Sequence, residues 1–123
     1  MGLQRKKFKV LKNYYWREPR NTENIFWTKH SKEKMRFYGL SEKKLKHLLS
    51  NPERIEEGIA PKTIAIMQSS GTKKHPTEIW LMYQKAGKRI KIITAWRYPA
   101  VSPVGKEVPI PKDILDELRG ANL

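Results

Sequence analysis

The chain has 123 residues, which suggests a single domain. Twenty-six Lys and Arg residues against twelve Asp and Glu residues give a net charge of +14. This charge favours a polyanionic partner such as RNA or DNA, or an acidic protein that masks the surface. The chain has no cysteine, which excludes disulfides, thiolate zinc ligands and thiol nucleophiles. Its histidines do not have the spacing of a metal site, so we expect no metal and no cofactor.

Residues 1–24 are predicted to form a basic, aromatic arm, in which Tyr14, Tyr15 and Trp16 follow a run of basic residues. We expect at least one of these rings to pack on the domain. No apolar run approaches the roughly 20 residues of a membrane-spanning helix. The basic N-terminus is not followed by the apolar stretch of a secretory signal. We therefore expect a cytoplasmic protein without membrane contact.

Two short helices are predicted next, over residues 31–38 and 41–50. Thr28 or Ser31 suits the N-cap of the first helix, and Gly39 suits the left-handed residue that ends it. The head of this helix carries His30, with Lys29 and Lys34 nearby. Because the first N–H groups of a helix bind anions, these three side chains are candidates for a phosphate pocket in which His30 acts as acid or base. The alternative is that His30 caps the helix or bonds a backbone carbonyl.

The pattern of apolar residues then changes to one typical of strands, which are predicted over residues 63–67, 79–83 and 89–96. Residues 54–58 are a further candidate strand, and residues 69–76 read as a polar loop. Ala86-Gly87 predicts a tight antiparallel hairpin. After Pro99 a proline-rich tail leads to a short helix over about 112–119. The expected fold is α+β, with two N-terminal helices on one face of a three- to four-stranded antiparallel sheet and a short C-terminal helix. The predicted units are the arm 1–24, the domain 25–98 and the tail 99–123.

The last predicted strand alternates between an apolar and a basic face. Its basic face would carry Arg89, Lys91 and Arg97 in a row suited to RNA phosphates. Trp80 and Trp96 are further candidate contacts, as platforms on which bases stack. The alternatives are a solvated strand face and a Trp80 that is covered by the arm or the tail.

The short motifs His30, Lys34-Met35, Gly39-Leu40, Pro52 and Thr94-Ala95-Trp96 resemble the RelE/BrnT-type toxin superfamily. They resemble more closely an uncharacterised bacterial domain family related to it, over residues 25–98. The resemblance implies a metal-independent endoribonuclease that uses the RNA 2′-hydroxyl as nucleophile. BrnT-like toxins carry Ser-Ala-Arg on the last strand. In this chain Trp96 stands in place of that arginine, and Arg97 follows it.

On this basis we expect a RelE/BrnT-like RNA-binding protein of the toxin-antitoxin type, with His30 and Arg97 as the candidate catalytic pair. Such a toxin would have an acidic antitoxin-like partner. Two alternatives stay open: a non-catalytic nucleic-acid-binding module, and a protein-interaction domain for an acidic partner. The sequence does not decide whether the protein is an enzyme or what its oligomeric state is.

Overall fold

The computed structural model describes residues 16–120. The elements in chain order are β1 (Ile25–Trp27), α1 (Lys29–Tyr38), α2 (Glu42–Ser50), β2 (Arg54–Glu57), β3 (Thr63–Gly71), β4 (Pro76–Ala86), β5 (Arg89–Tyr98) and α3 (Lys112–Gly120). The strands form one sheet in the order β1-β5-β4-β3-β2. Within these residues, no helix is both long and apolar enough to cross a bilayer.

The predicted α+β class is confirmed, but the prediction of a purely antiparallel sheet is wrong. The sheet has five strands and is mixed, because β1 precedes the helices and pairs in parallel with β5. β1 has only three residues, too few for a strand period to appear in the sequence. The Asn21 side chain accepts a hydrogen bond from Trp27 N–H at 2.8 Å, and the Trp27 side chain is buried. A side chain of a preceding turn thus supports this strand.

The two predicted N-terminal helices are confirmed, with α1 starting two residues earlier. Thr28 is the N-cap of α1, and its hydroxyl accepts a hydrogen bond from Ser31 N–H. Gly39 adopts φ 67°, the left-handed conformation that ends the helix. Ser41 caps α2 through Lys44 N–H.

The hairpin of β3 and β4 is longer than predicted. Its ladder continues to the pair Gly71 and Pro76, so that the predicted loop of residues 69–76 shrinks to the turn Thr72–His75. Gly71 has φ 77°, and a Cβ atom there would collide with the His75 carbonyl oxygen. Glycine is therefore required where this turn begins.

Both faces of the sheet are covered, whereas the prediction placed helices on one face. Helices α1 and α2 pack on the first face, where Met35, Leu45 and Leu48 lie in one apolar cluster with side chains of β3, β4 and β5. On the second face, α3 contributes Ile114 and Leu118 to a separate cluster. Trp16 packs on the first cluster and donates to the Leu40 carbonyl, as predicted for one ring of the arm. Tyr14 and Tyr15 lie outside the described residues.

Trp80 and Trp96 lie in the second cluster, and both are fully buried. Their rings stack with centroids 5.8 Å apart and planes 4° from parallel. The prediction that they are platforms for bases is therefore wrong for this conformation, because α3 and the segment before it cover them. The alternative, in which the tail covers Trp80, is the one observed.

A bulge at Ile93 changes which side chains of β5 share a face. Met82 pairs with Thr94, but Tyr83 pairs with Ile92, so Ile93 has no partner in β4. Ile92 and Ala95 consequently lie in the first cluster, and Ile93 in the second. Strict alternation predicted that Arg97 shares a face with Arg89 and Lys91. That prediction is wrong, because the extra residue turns Arg97 to the face of α1 and α2.

Buried polar contacts attach the segment between β5 and α3 to the second face. The Glu78 carboxylate accepts hydrogen bonds from Ser102 N–H and Ser102 Oγ, at 3.1 and 2.6 Å. The Arg54 guanidinium donates to Ser102 Oγ at 2.6 Å and lies 5.1 Å from the centre of the Trp80 ring. The residues after β5 are therefore part of the packed structure.

Candidate nucleic-acid interface

His30 lies at the head of α1 with both ring nitrogens engaged. Its Nε2 is 3.0 Å from Thr94 Oγ1, and its Nδ1 is 2.7 Å from Glu117 Oε2 of α3. Lys34, one turn further along α1, contacts Asp113 Oδ2 at 2.7 Å and Glu117 Oε1 at 3.1 Å. We call these five residues the His30 cluster. It joins α1, β5 and α3.

The distance between His30 and Glu117 is short enough for an ion pair, but burial acts in the opposite direction. Burial lowers the pKa of His30 below its ordinary value of 6.5 and outweighs the attraction of Glu117. We therefore assign a neutral imidazole at pH 7. Its Nδ1–H donates to Glu117, and its Nε2 accepts the Thr94 hydroxyl proton.

Lys34 and Asp113, two other members of the His30 cluster, are charged. Burial opposes the charge of Lys34, but hydrogen bonds to Asp113 and Glu117 outweigh it and raise the pKa of Lys34 above 10.5. The Lys34 hydrogen bond in turn lowers the pKa of Asp113 below 3.8. Two of the three side chains predicted to bind phosphate at this position, His30 and Lys34, are thus bound by carboxylates of α3. Lys29 is exposed at the same helix head but is not a member of the cluster.

Arg97 lies at the other end of α1. Its Nε and Nη2 are each 3.5 Å from the Tyr38 carbonyl oxygen, which makes these long hydrogen bonds. Within residues 16–120, no carboxylate lies within ion-pair distance of Arg97. Thr94, which holds His30, is three residues away, or about 10 Å along the strand. The structure therefore does not bring His30 and Arg97 together as a catalytic pair.

Arg97 lines an open groove of about 570 Å³ at the end of β5. Tyr38 and Tyr98 contribute aromatic walls, and prolines contribute apolar ones. We call this the Arg97 groove; it is formed by Tyr38, Thr77, Arg97, Tyr98, Pro99, Pro109, Ile110 and Pro111. Burial raises the pKa of Tyr38 above its ordinary value of 10.0, so its phenol is neutral at pH 7. The groove thus combines a cation, neutral rings and apolar walls.

Two further features extend the Arg97 groove. Phe37 stands edge-on to Tyr38, with ring centroids 4.8 Å apart, and 74% of its side chain is exposed. The turn Thr72–His75 projects from the same end of the sheet, two residues before Thr77, and carries Lys73 and Lys74. We call it the basic turn. Both lysines are exposed, as is His75.

Arg89 and Lys91 lie at the opposite end of β5, away from the Arg97 groove. The Arg89 guanidinium is 5.1 Å from the centre of the Phe26 ring, and Lys91 is partly buried. Of the predicted site residues, only Arg97 lies in the groove. Sequence reasoning did not assign Phe37 or the tyrosines to a binding surface, although an aromatic pair directly before a helix-ending glycine could have indicated one.

No three histidine, aspartate or glutamate side chains converge as metal ligands within residues 16–120. Comparison of the chain with models of protein families, with curated proteins and with solved structures gives no significant match.

Proposed function

We propose that this protein is a RelE/BrnT-like RNA-binding protein that holds single-stranded RNA in the Arg97 groove. The observation that carries the proposal is the Arg97 guanidinium. It is a permanent cation without a carboxylate partner among the described residues, and it lies in an aromatic groove. Guanidinium groups bind phosphate through paired N–H donors. The net charge of +14 attracts a polyanion to the site.

The walls of the groove suit a single strand better than a duplex. Bases in a single strand are free to stack on aromatic rings, and each such contact contributes roughly 1–3 kcal/mol. Tyr98 lines the groove beside Arg97, and the exposed ring of Phe37 lies next to Tyr38. A nucleotide with its phosphate on Arg97 would have one of these rings within reach. The basic turn would bind a neighbouring phosphate.

The geometry favours binding over cleavage. A general base must be free to take a proton from the 2′-hydroxyl, and both nitrogens of His30 are already bonded. Arg97, the cation that would stabilise the phosphorane, is about 10 Å away along β5. We therefore propose binding as the function. An endoribonuclease activity, and an acidic antitoxin-like partner for the same cations, remain outcomes that the experiments below distinguish.

Salt dependence of RNA affinity tests this proposal. Arg97→Gln should weaken binding of a fluorescent single-stranded RNA roughly tenfold or more and reduce the slope of log affinity against log salt by about 0.7. Lys73→Ala with Lys74→Ala should reduce the slope by about 1 to 2. The matched control is Lys43→Ala with Lys44→Ala on the exposed side of α2. It removes the same charge away from the groove and should change the slope less.

If the two double lysine substitutions reduced the slope equally, RNA affinity would depend only on net charge. That result would contradict binding in the Arg97 groove. Equal affinity for single-stranded DNA would show that the ribose is not read. Cleavage of the RNA in EDTA, with a 2′,3′-cyclic phosphate product that disappears in His30→Ala, would establish the endoribonuclease activity instead. Failure to bind any nucleic acid at low salt would favour an acidic protein as the partner.

A further inference from the structure

The turn between β4 and β5 is surrounded by cations. Between Glu78 and Glu107 the chain has no acidic residue. Five cations lie at or beside this turn, and we call them the hairpin end: Lys62, Lys85, Lys88, Arg89 and Lys91. Within residues 16–120, none of the five lies within ion-pair distance of a carboxylate. Strand register places two carboxylates near them, Glu23 and Glu57, so five cations against two carboxylates leave a surplus of three positive charges.

Two of these cations, Arg89 and Lys91, share the second face of the sheet. The side chains of Ile90 and Ile92 pack in the first cluster, so the residues that alternate with them point the other way. The bulge at Ile93 comes after both cations and does not disturb this alternation. Arg89 and Lys91 are therefore about 7 Å apart along the strand, close to the distance between successive phosphates of one nucleic-acid strand.

An aromatic ring holds Arg89 in position. The Arg89 guanidinium lies over the Phe26 ring, 5.1 Å from its centre, and Phe26 is the partner of Lys91 in the register of β1 and β5. A guanidinium that stacks on a ring keeps the N–H donors at its edge free for the oxygens of a phosphate. Because the side chain is already ordered, it loses less conformational entropy when it binds. The same contact covers Phe26, so this ring is not offered to a base.

The hairpin end differs from the Arg97 groove in place and in chemistry. Arg89 and Arg97 are eight residues apart on β5, about 25 Å, and the bulge turns them to different faces. The groove offers aromatic walls on which bases can stack. The second face at the hairpin end offers cations and amides, and the one ring there among the described residues, Phe26, is covered. Such a surface contacts phosphates and reads no base.

A duplex suits a surface of this kind better than a single strand. Its bases are paired and hidden, whereas its phosphates are exposed and lie at a higher charge density than those of one strand. We propose that the hairpin end is a second nucleic-acid-binding surface, at which Arg89 and Lys91 bind successive phosphates of an RNA duplex. Lys62, Lys85 and Lys88 raise the local potential and attract the duplex. This inference rests on the proposed function for the choice of RNA, and it assigns the single strand and the duplex to opposite ends of β5.

The test compares a blunt, fluorescent RNA duplex with an unpaired strand of the same length, each bound to the full chain. Arg89→Gln with Lys91→Gln should weaken the duplex at least about tenfold and reduce the slope of log affinity against log salt by about 1.8. Lys43→Gln with Lys44→Gln removes the same charge from the exposed side of α2 and should change the slope by less than about 0.5.

Phe26→Leu tests the role of the ring without changing a charge. It leaves an apolar side chain beside Lys91 but removes the surface on which Arg89 stacks. Duplex affinity should fall about two- to fivefold, which corresponds to the usual strength of such a contact, and the slope should stay the same. A melting temperature for each variant shows whether it is folded. If Phe26→Leu is folded and binds the duplex as tightly as the wild type, the stacked Arg89 is not the contact.

The two surfaces are separated by comparing both probes on the same samples. Arg97→Gln should weaken the single strand and leave the duplex within about twofold, whereas Arg89→Gln with Lys91→Gln should do the reverse. Equal effects of the hairpin-end and α2 substitutions on the duplex would overturn the proposal, as would the absence of duplex binding at low salt. Loss of single-strand binding in Arg97→Gln together with either result would leave the proposed function standing. A single strand that is unaffected by Arg97→Gln would contradict the Arg97 groove instead.

Discussion

We expect Trp96→Ala to lower the free energy of unfolding by about 3–5 kcal/mol, the largest effect of any single substitution considered. The Trp96 side chain is fully buried, stacks on Trp80 and packs with Ile114 of α3 in one cluster. Its removal leaves a cavity that the surrounding strands cannot fill. Urea denaturation followed by circular dichroism measures the loss. Trp96→Phe keeps an aromatic ring and should recover part of it.

Phe37→Ala is the control for this prediction. The Phe37 side chain is 74% exposed, so its removal should change the free energy of unfolding by no more than about 0.5 kcal/mol. RNA affinity should nevertheless fall, if Phe37 serves as a platform beside the Arg97 groove. The reverse result, in which Trp96→Ala folds with unchanged stability and loses RNA binding, would contradict the buried position of Trp96.

The second large effect is expected at His30. His30→Ala should lower the free energy of unfolding by about 1–3 kcal/mol, because it leaves the buried Thr94 hydroxyl without its partner. Glu117 also loses a hydrogen-bond donor, which loosens the contact between α1 and α3. Chemical shifts in residues 112–119 should therefore move. Lys29→Ala, which changes an exposed neighbour outside the His30 cluster, is the control and should cost little.

The pH dependence of stability has a defined sign. The folded pKa of His30 is below 6.5, so the unfolded chain binds the proton more readily than the folded one. The stabilisation from neutral His30 is complete above pH 6.5 and is lost as pH falls from 6.5 through the folded pKa. His30→Ala should lack this loss. Because folding lowers the pKa of Asp113, stability also falls as the pH drops below 3.8. Because folding raises the pKa of Lys34, stability falls as the pH rises above 10.5. If the stability of the wild-type protein instead increased as the pH was lowered from 6.5 to 5, the assignment of a neutral imidazole would be contradicted.

The elements that the sequence predicted correctly depend on neighbours along the chain. Thr28, Gly39 and Ser41 act as caps within four residues of their partners, so the bounds of α1 and α2 followed from residue type to within two residues. The turn of β4 and β5 is likewise local. β1 is the counterexample, because its three residues form a strand only through Ile90–Ile92, far along the chain. Local reasoning had no signal for it.

The candidate site was less predictable than the fold. Arg97 was identified by its charge and its position near the end of the last strand. Tyr38, which forms the opposite wall of the Arg97 groove, lies 59 residues earlier in the chain. The prolines that complete the groove come from the segment that follows β5. Only the folded chain brings these three parts together, and for that reason no spacing rule could have assigned them to one site.

The α+β class, the two capped helices and the surplus of positive charge were predictable without the fold, because each depends on residue type and local period. Which of the charges are available for binding depends on tertiary packing. The bulge at Ile93 places Arg97 on a different face from Lys91, since one unpaired residue reverses the alternation of a strand. The docking of α3 buries Trp80 and Trp96 and joins His30 and Lys34 to carboxylates, since the apolar second face of the sheet must be covered.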